Sequence, residues 1–122
     1  MFDLKINPEK NAILCVLSGK FDEAEAHDYV SKFKDGVDRL EPGMVVITDL
    51  TEFVPTDDEV RRILQEGSKY AVERGVLRGI RIVTESVSSK VGNIQLNKTA
   101  RELGYKVDVV NSLDEAKRLL GW

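Results

Sequence analysis

The sequence predicts an α/β fold: a single domain over residues 1–122, with a five-stranded, mainly parallel sheet, an antiparallel edge strand and four helices. Three observations lead there. Two short aliphatic segments open the chain and are joined by the tight turn Pro8-Glu9-Lys10-Asn11. From there on, amphipathic stretches of helical period alternate with apolar runs of strand length. The length of 122 residues suits one domain that buries about two-thirds of its unfolded surface.

Phe2 to Asn7 and Ala12 to Ser18 read as an antiparallel hairpin. Asp22 with Glu25 forms a capping pair for a helix whose apolar residues, Ala26, Val30, Phe33, Val37 and Leu40, recur at helical spacing. Glu41-Pro42-Gly43 stops it, because proline has no N–H for a continuing helix. Met44 to Leu50 is a continuous apolar run, as expected of a central strand covered on both faces. Thr56 with Glu59 reads as a second capping box, followed by Val60, Ile63, Leu64, Gly67, Tyr70 and Ala71 on one helix side. Arg78 to Thr84 is the next strand.

Ser86 begins a third helix with a less regular apolar set, Val87, Val91, Ile94, Leu96, Ala100 and Leu103, interrupted by Gly92. Tyr105 to Val110 is the last strand. Ser112 with Glu115 caps a final helix bearing Leu113, Ala116, Leu119 and Leu120. The order is β-β-α-β-α-β-α-β-α, which requires right-handed crossovers. A doubly wound sheet gathers functional loops at the carboxyl ends of its strands: here Ser18 to Phe21, Thr51 to Thr56, Thr84 to Ser89, and Asn111-Ser112.

Composition excludes several classes. Hydrophobic residues make up 42% and charged residues 32%, a globular balance. No apolar run approaches the ~20 residues that span a bilayer, and the N-terminus lacks a signal-peptide layout, so the expected location is cytoplasmic. With one cysteine, Cys15, and one histidine, His27, the chain has no internal disulfide, no cysteine-cluster metal site and no histidine pair for acid–base work. Cys15 reads as a small buried hydrophobe. The net charge of −3 is lopsided: residues 1–60 carry 6 basic against 14 acidic side chains, and residues 61–122 carry 12 against 7. A sheet that interleaves the halves turns this into ordinary pairing, whereas a sheet that separates them presents an acidic and a basic side. Scattered basic residues without interleaved aromatics argue against nucleic acid.

The element order, the turn Ser18-Gly19-Lys20-Phe21, the strand end Thr48-Asp49-Leu50-Thr51 and the closing Ser112-Leu113-Asp114-Glu115-Ala116-Lys117-Arg118-Leu119-Leu120 together resemble the SpoIIAA-like branch of the STAS domains. In typical anti-sigma-factor antagonists of that family, the Asp-Leu is followed after a short loop by Asp-Ser-Ser-Gly, where a partner kinase phosphorylates serine. The corresponding stretch here is Asp57-Asp58-Glu59-Val60, which keeps the first aspartate and loses both serines and the glycine. A carboxylate has no hydroxyl to transfer phosphate to. The acids are expected instead to complement the helix dipole.

The resemblance implies a non-enzymatic regulatory or protein-interaction module without the usual phosphorylatable serine. Its partner-binding candidates are Phe53, Val54, Thr56, Asp57, Asp58 and Glu59, with Phe53-Val54-Pro55 as an apolar contact loop or a hydrophobic staple. Thr84, Ser86, Ser88, Ser89 and Lys90 at the third helix start are candidates to hold a small anion or ligand. The SpoIIAA-like branch is also similar in topology to CRAL-TRIO lipid-transfer domains, which implies the alternative of an apolar-ligand or membrane-surface binding domain. A phospho-receiver fits only in Asp49 and Thr84: the first strands offer no acidic pair for magnesium, and the last strand ends without a lysine. Asp49, Asp57 and Asp58 suggest a carboxylate cluster, but without a base or a phosphate cradle no reaction can be named. No cofactor or metal is expected. A homodimer through the edge strand or Trp122 stays open.

Overall fold

A computed structural model describes residues 1–86, 90, 91, 93, 94 and 101–122. The strands are β1 (Phe2–Asn7), β2 (Ala12–Gly19), β3 (Val45–Phe53), β4 (Arg78–Ile82) and β5 (Val107–Val110). They lie in the order β1-β2-β3-β4-β5, antiparallel in the first pair and parallel thereafter. The helices are α1 (Glu23–Asp38), α2 (Asp58–Glu73), α3, described at 90, 91, 93, 94 and 101–103, and α4 (Leu113–Leu120). The α/β class, the antiparallel edge strand and the central place of β3 follow the reading of the sequence. The expected Val87, Gly92, Leu96 and Ala100 of the third helix lie outside the described residues.

The sheet is not doubly wound. Each parallel strand is added on the same side of its predecessor, so crossovers of one hand return their helices to one face. Both α1 and α2 pack there, over Ile13, Cys15, Leu17, Val46 and Leu50. On the opposite face α4 covers a smaller core of Ala12, Val45, Ile47, Ile80, Ile82 and Val110 through Ala116 and Leu120. Strand order never reverses among the parallel strands, so the crevice expected at a switch point is not formed.

Two helix starts differ in detail from expectation. The cap of α2 is Asp57, whose carboxylate accepts from the Val60 N–H at 3.1 Å; Thr56 is buried one position earlier. The predicted Thr56–Glu59 capping box is therefore displaced by one residue. Asp22 and Ser112 cap α1 and α4 as read, each accepting from the N–H three residues on. At α4 the Glu115 carboxylate accepts from the Asn111 N–H at 2.8 Å, the residue before the cap.

β3 runs three residues past the predicted end at Leu50. Its pairing with β2 steps from Val16↔Asp49 to Ser18↔Glu52, so β3 holds one extra residue there, a β-bulge. Asp49 supports it by accepting from the Thr51 N–H at 2.9 Å. The extra residue changes which side chains face inward: Val46, Thr48 and Leu50 before the bulge, Phe53 after it.

The sheet also keeps the two halves of the chain apart, with β1–β3 on the acidic side and β4–β5 on the basic side. At the junction Arg61 lies 3.6 Å from Asp58 and Arg62 lies 3.4 Å from Glu59, both within one turn of α2. Beyond these neighbours, Arg74–Asp38 at 3.0 Å is the ion pair that joins the halves among the described residues. Tyr70 strengthens it by donating to Asp38 at 2.5 Å while accepting from Arg74 at 2.7 Å, which ties α2 to α1.

Close approach of α1 to the sheet depends on Gly36. A Cβ there would stand 2.9 Å from the Ile13 side chain and 3.2 Å from that of Ile6. Gly36→Val should therefore lower stability by about 1–3 kcal/mol through overpacking, although glycine is the poorer helix former. The urea midpoint should fall with an unchanged slope, and an unchanged midpoint would contradict the contact.

Candidate functional site

The sequence placed its contact loop at Phe53-Val54-Pro55. Phe53 is in fact the last residue of β3 and is 1% exposed, its ring 6.0 Å from that of Phe21. The ring belongs to an aromatic cluster: Phe21 lies 6.1 Å from Tyr29, which lies 5.9 Å from Phe33. The bulge at Asp49 is what turns Phe53 inward. As a surface contact residue Phe53 is thus withdrawn, and Val54, 37% exposed, is what remains of the apolar patch. Thr56 is also buried. Asp57, Asp58 and Glu59 are exposed, the first occupied as a cap and the others facing Arg61 and Arg62.

At the start of α3, Thr84 and Ser86 are bonded to one another, hydroxyl to hydroxyl at 3.1 Å, with the Ser86 N–H donating to the Thr84 hydroxyl at 3.3 Å. Lys90 pairs with Glu85 at 3.0 Å, so its charge is balanced locally rather than offered to an anion. Ser88 and Ser89 lie outside the described residues. Among the described residues no group of acidic, histidine and cysteine side chains is suited to a metal ion. Neither does any helix there have the length and apolarity to cross a membrane.

Two concave features that the sequence did not single out lie on opposite faces of the sheet. The first is a groove of about 560 Å³ on the thinly covered face, between the β1–β2 hairpin and α4. Ala12, Leu14 and Ile47 form its floor, and Leu113 and Trp122 its far wall. Lys5, Lys10 and Lys117 rim it, and no acidic side chain is among the described lining residues. The Lys10 ammonium stands 5.6 Å from the centre of the Trp122 ring, a cation–π contact. The groove exists because α4 is only eight residues long and buries little more than Ala116.

The second feature is a small recess of about 30 Å³ beneath α1 and α2. It sits over a polar row that crosses the sheet, Cys15 beside Thr48 beside Arg81. Tyr29 and Phe33 reach it from α1, Ser68 from α2 and Tyr105 from the segment before β5. Arg81 is 4% exposed, and its Nη1 has no hydrogen-bonding partner among the described residues. Burial pushes its pKa below the ordinary range, while the interaction and hydrogen bond with the Tyr105 hydroxyl work against that. Tyr105 fits because residue 79 is glycine: a Cβ there would stand 2.7 Å from the tyrosine ring.

Comparison with models of known protein families gives no match. Nor does any curated protein match the chain. Arg81 was visible in the sequence as a charge inside an apolar strand, between Ile80 and Ile82, and that interruption was the available signal. The groove had no such signal, since its walls come from both ends of the chain.

Phe53→Ala should cost about 3–5 kcal/mol of stability, as a core truncation does, rather than affect an interface alone. A variant with native stability would contradict the burial. A second expectation concerns alkali. Burial pushes the Cys15 thiol up to about 12 from 9.0, partly offset by the Tyr29 hydroxyl, which donates to its sulfur. A raised pKa gives a stability contribution that is fully present below pH 9.0 and is lost as pH climbs towards 12. The loss is about 1.4 kcal/mol per pH unit within that window. Tyr29, raised well above 10.0 by burial, adds to it in the same direction. Urea midpoints measured from pH 9 upward should fall less steeply in Cys15→Ala than in the native chain, and equal slopes would refute the assignment.

Proposed function

We propose that this domain is a non-catalytic binding module that takes an apolar ligand with an anionic head in the lysine-rimmed groove. The observation that carries the reading is the pairing of an apolar floor with three rim cations in a chain of net charge −3. Apolar area on the floor supplies affinity in proportion to the surface removed from water. Lysines at the rim can keep their ammonium groups in water and still meet a carboxylate or sulfonate head. The likeness in topology between the SpoIIAA-like branch and CRAL-TRIO lipid-transfer domains supports the same class of ligand. No proton transfer or cofactor is needed for such a role.

A regulatory protein contact is the second reading. Exposed Val54 beside Asp58 and Glu59 favours it, but the buried Phe53 removes the anchor that such a patch would need.

Trp122 is the single tryptophan of the chain and lines the groove, so its emission reports on occupancy. Dodecanoate should shift or quench that emission saturably, and dodecanol should bind more weakly. Lys117→Gln should reduce dodecanoate affinity by up to about fivefold, the range of one exposed charge pair. Leu14→Asp should abolish binding. Emission that ignores dodecanoate in folded protein would overturn the proposal, and flotation with anionic liposomes without binding of free dodecanoate would replace it with a membrane-surface role.

A further inference from the structure

We propose that the cavity at Arg81 is a binding site for one chloride-sized monovalent anion. The argument begins with the strand that delivers the arginine. In β4, Ile80 and Ile82 face the α4 side, and Arg81 faces the layer beneath α1 and α2. A guanidinium keeps its proton at any ordinary pH, so a full positive charge is held almost entirely out of water. Buried charges in proteins are paired, because desolvation is otherwise uncompensated. Yet no carboxylate lines this cavity among the described residues.

The neighbouring groups cannot supply the missing charge themselves. Cys15 and Tyr29 both hold their protons more tightly than usual because of burial. What surrounds Arg81 instead is a set of hydroxyls, those of Tyr29, Thr48, Ser68 and Tyr105. Those of Thr48, Ser68 and Tyr105 can rotate to donate, the Tyr29 proton being engaged with the Cys15 sulfur, and three such donors make the solvation shell that a small anion requires. Water would satisfy the Nη1 proton and leave the charge unbalanced; a halide does both. A recess of about 30 Å³ matches a body of that size more closely than it does phosphate or a ligand chain. It lies across the sheet from the lysine-rimmed groove, so this site stands or falls independently of the amphiphile reading.

Thermal melts in sodium chloride and in sodium gluconate at equal ionic strength, together with the line width of the chloride NMR signal, test the site on the intact chain. A midpoint higher by roughly 2–5 °C in chloride is expected, with protein-dependent line broadening. Arg81→Met should lose both effects. Equal midpoints with no broadening would overturn the proposal, as would broadening of native size in folded Arg81→Met. Should that variant not fold, Ser68→Ala keeps the arginine and removes one hydroxyl. It should weaken chloride binding severalfold, and unchanged binding there also counts against the site.

Discussion

The architecture depends on a constraint of handedness and direction: successive parallel strands advance across the sheet the same way, and their right-handed connections leave α1 and α2 on one side. That side acquires a thick core, with five aromatic rings in contact across β1, the β2–α1 connection, α1 and β3. The other side is left to α4, which at eight residues cannot cover five strands. Both candidate sites follow from the imbalance. The groove is surface that α4 does not reach, and the polar cavity is a place where the thick side buries a side chain that the strand pattern alone would leave at the surface.

Much of the fold was legible because local signals and global topology agree. Asp22, Ser112 and their partners three residues on mark helix starts in both readings, and Met44 to Leu50 is the middle of the sheet. The misplaced features have physical causes. Thr56 and Asp57 are both good caps, and the sequence does not say which one the β3 exit will bury. The end of β3 is hidden in the sequence because the bulge interrupts a period-two pattern with an extra residue, and the continuation Thr51-Glu52-Phe53 then reads as a loop. Arg81 could be read as an interruption, but not as a site, since Tyr29 and Ser68 come to it from distant parts of the chain. Winding in one direction, in place of the expected doubly wound sheet, leaves no switch-point crevice at the strand-end loops.

Charge is organised on the same plan. The acidic first half forms β1 to β3 and the basic second half forms β4 and β5, so the lopsided composition persists as a spatial polarity across the sheet. Asp38, Tyr70 and Arg74 bridge the halves at the helix layer. The two cationic sites lie apart from one another, one a ring of solvated lysines on an acidic chain, the other a single guanidinium stripped of water.

The bulge at Asp49 has a wider meaning for how β3 is built. Side chains along a strand alternate like a wave, and the extra residue shifts that wave by half a period, so the strand is two short segments in antiphase. The first segment is tuned to the sheet, and the second, ending at Phe53, is tuned to the aromatic cluster. Because the phase is set by counting residues, loss of the extra residue would merge the two segments into one regular alternation with Phe53 still inward, whereas one more residue before Phe53 would turn that ring out of the cluster.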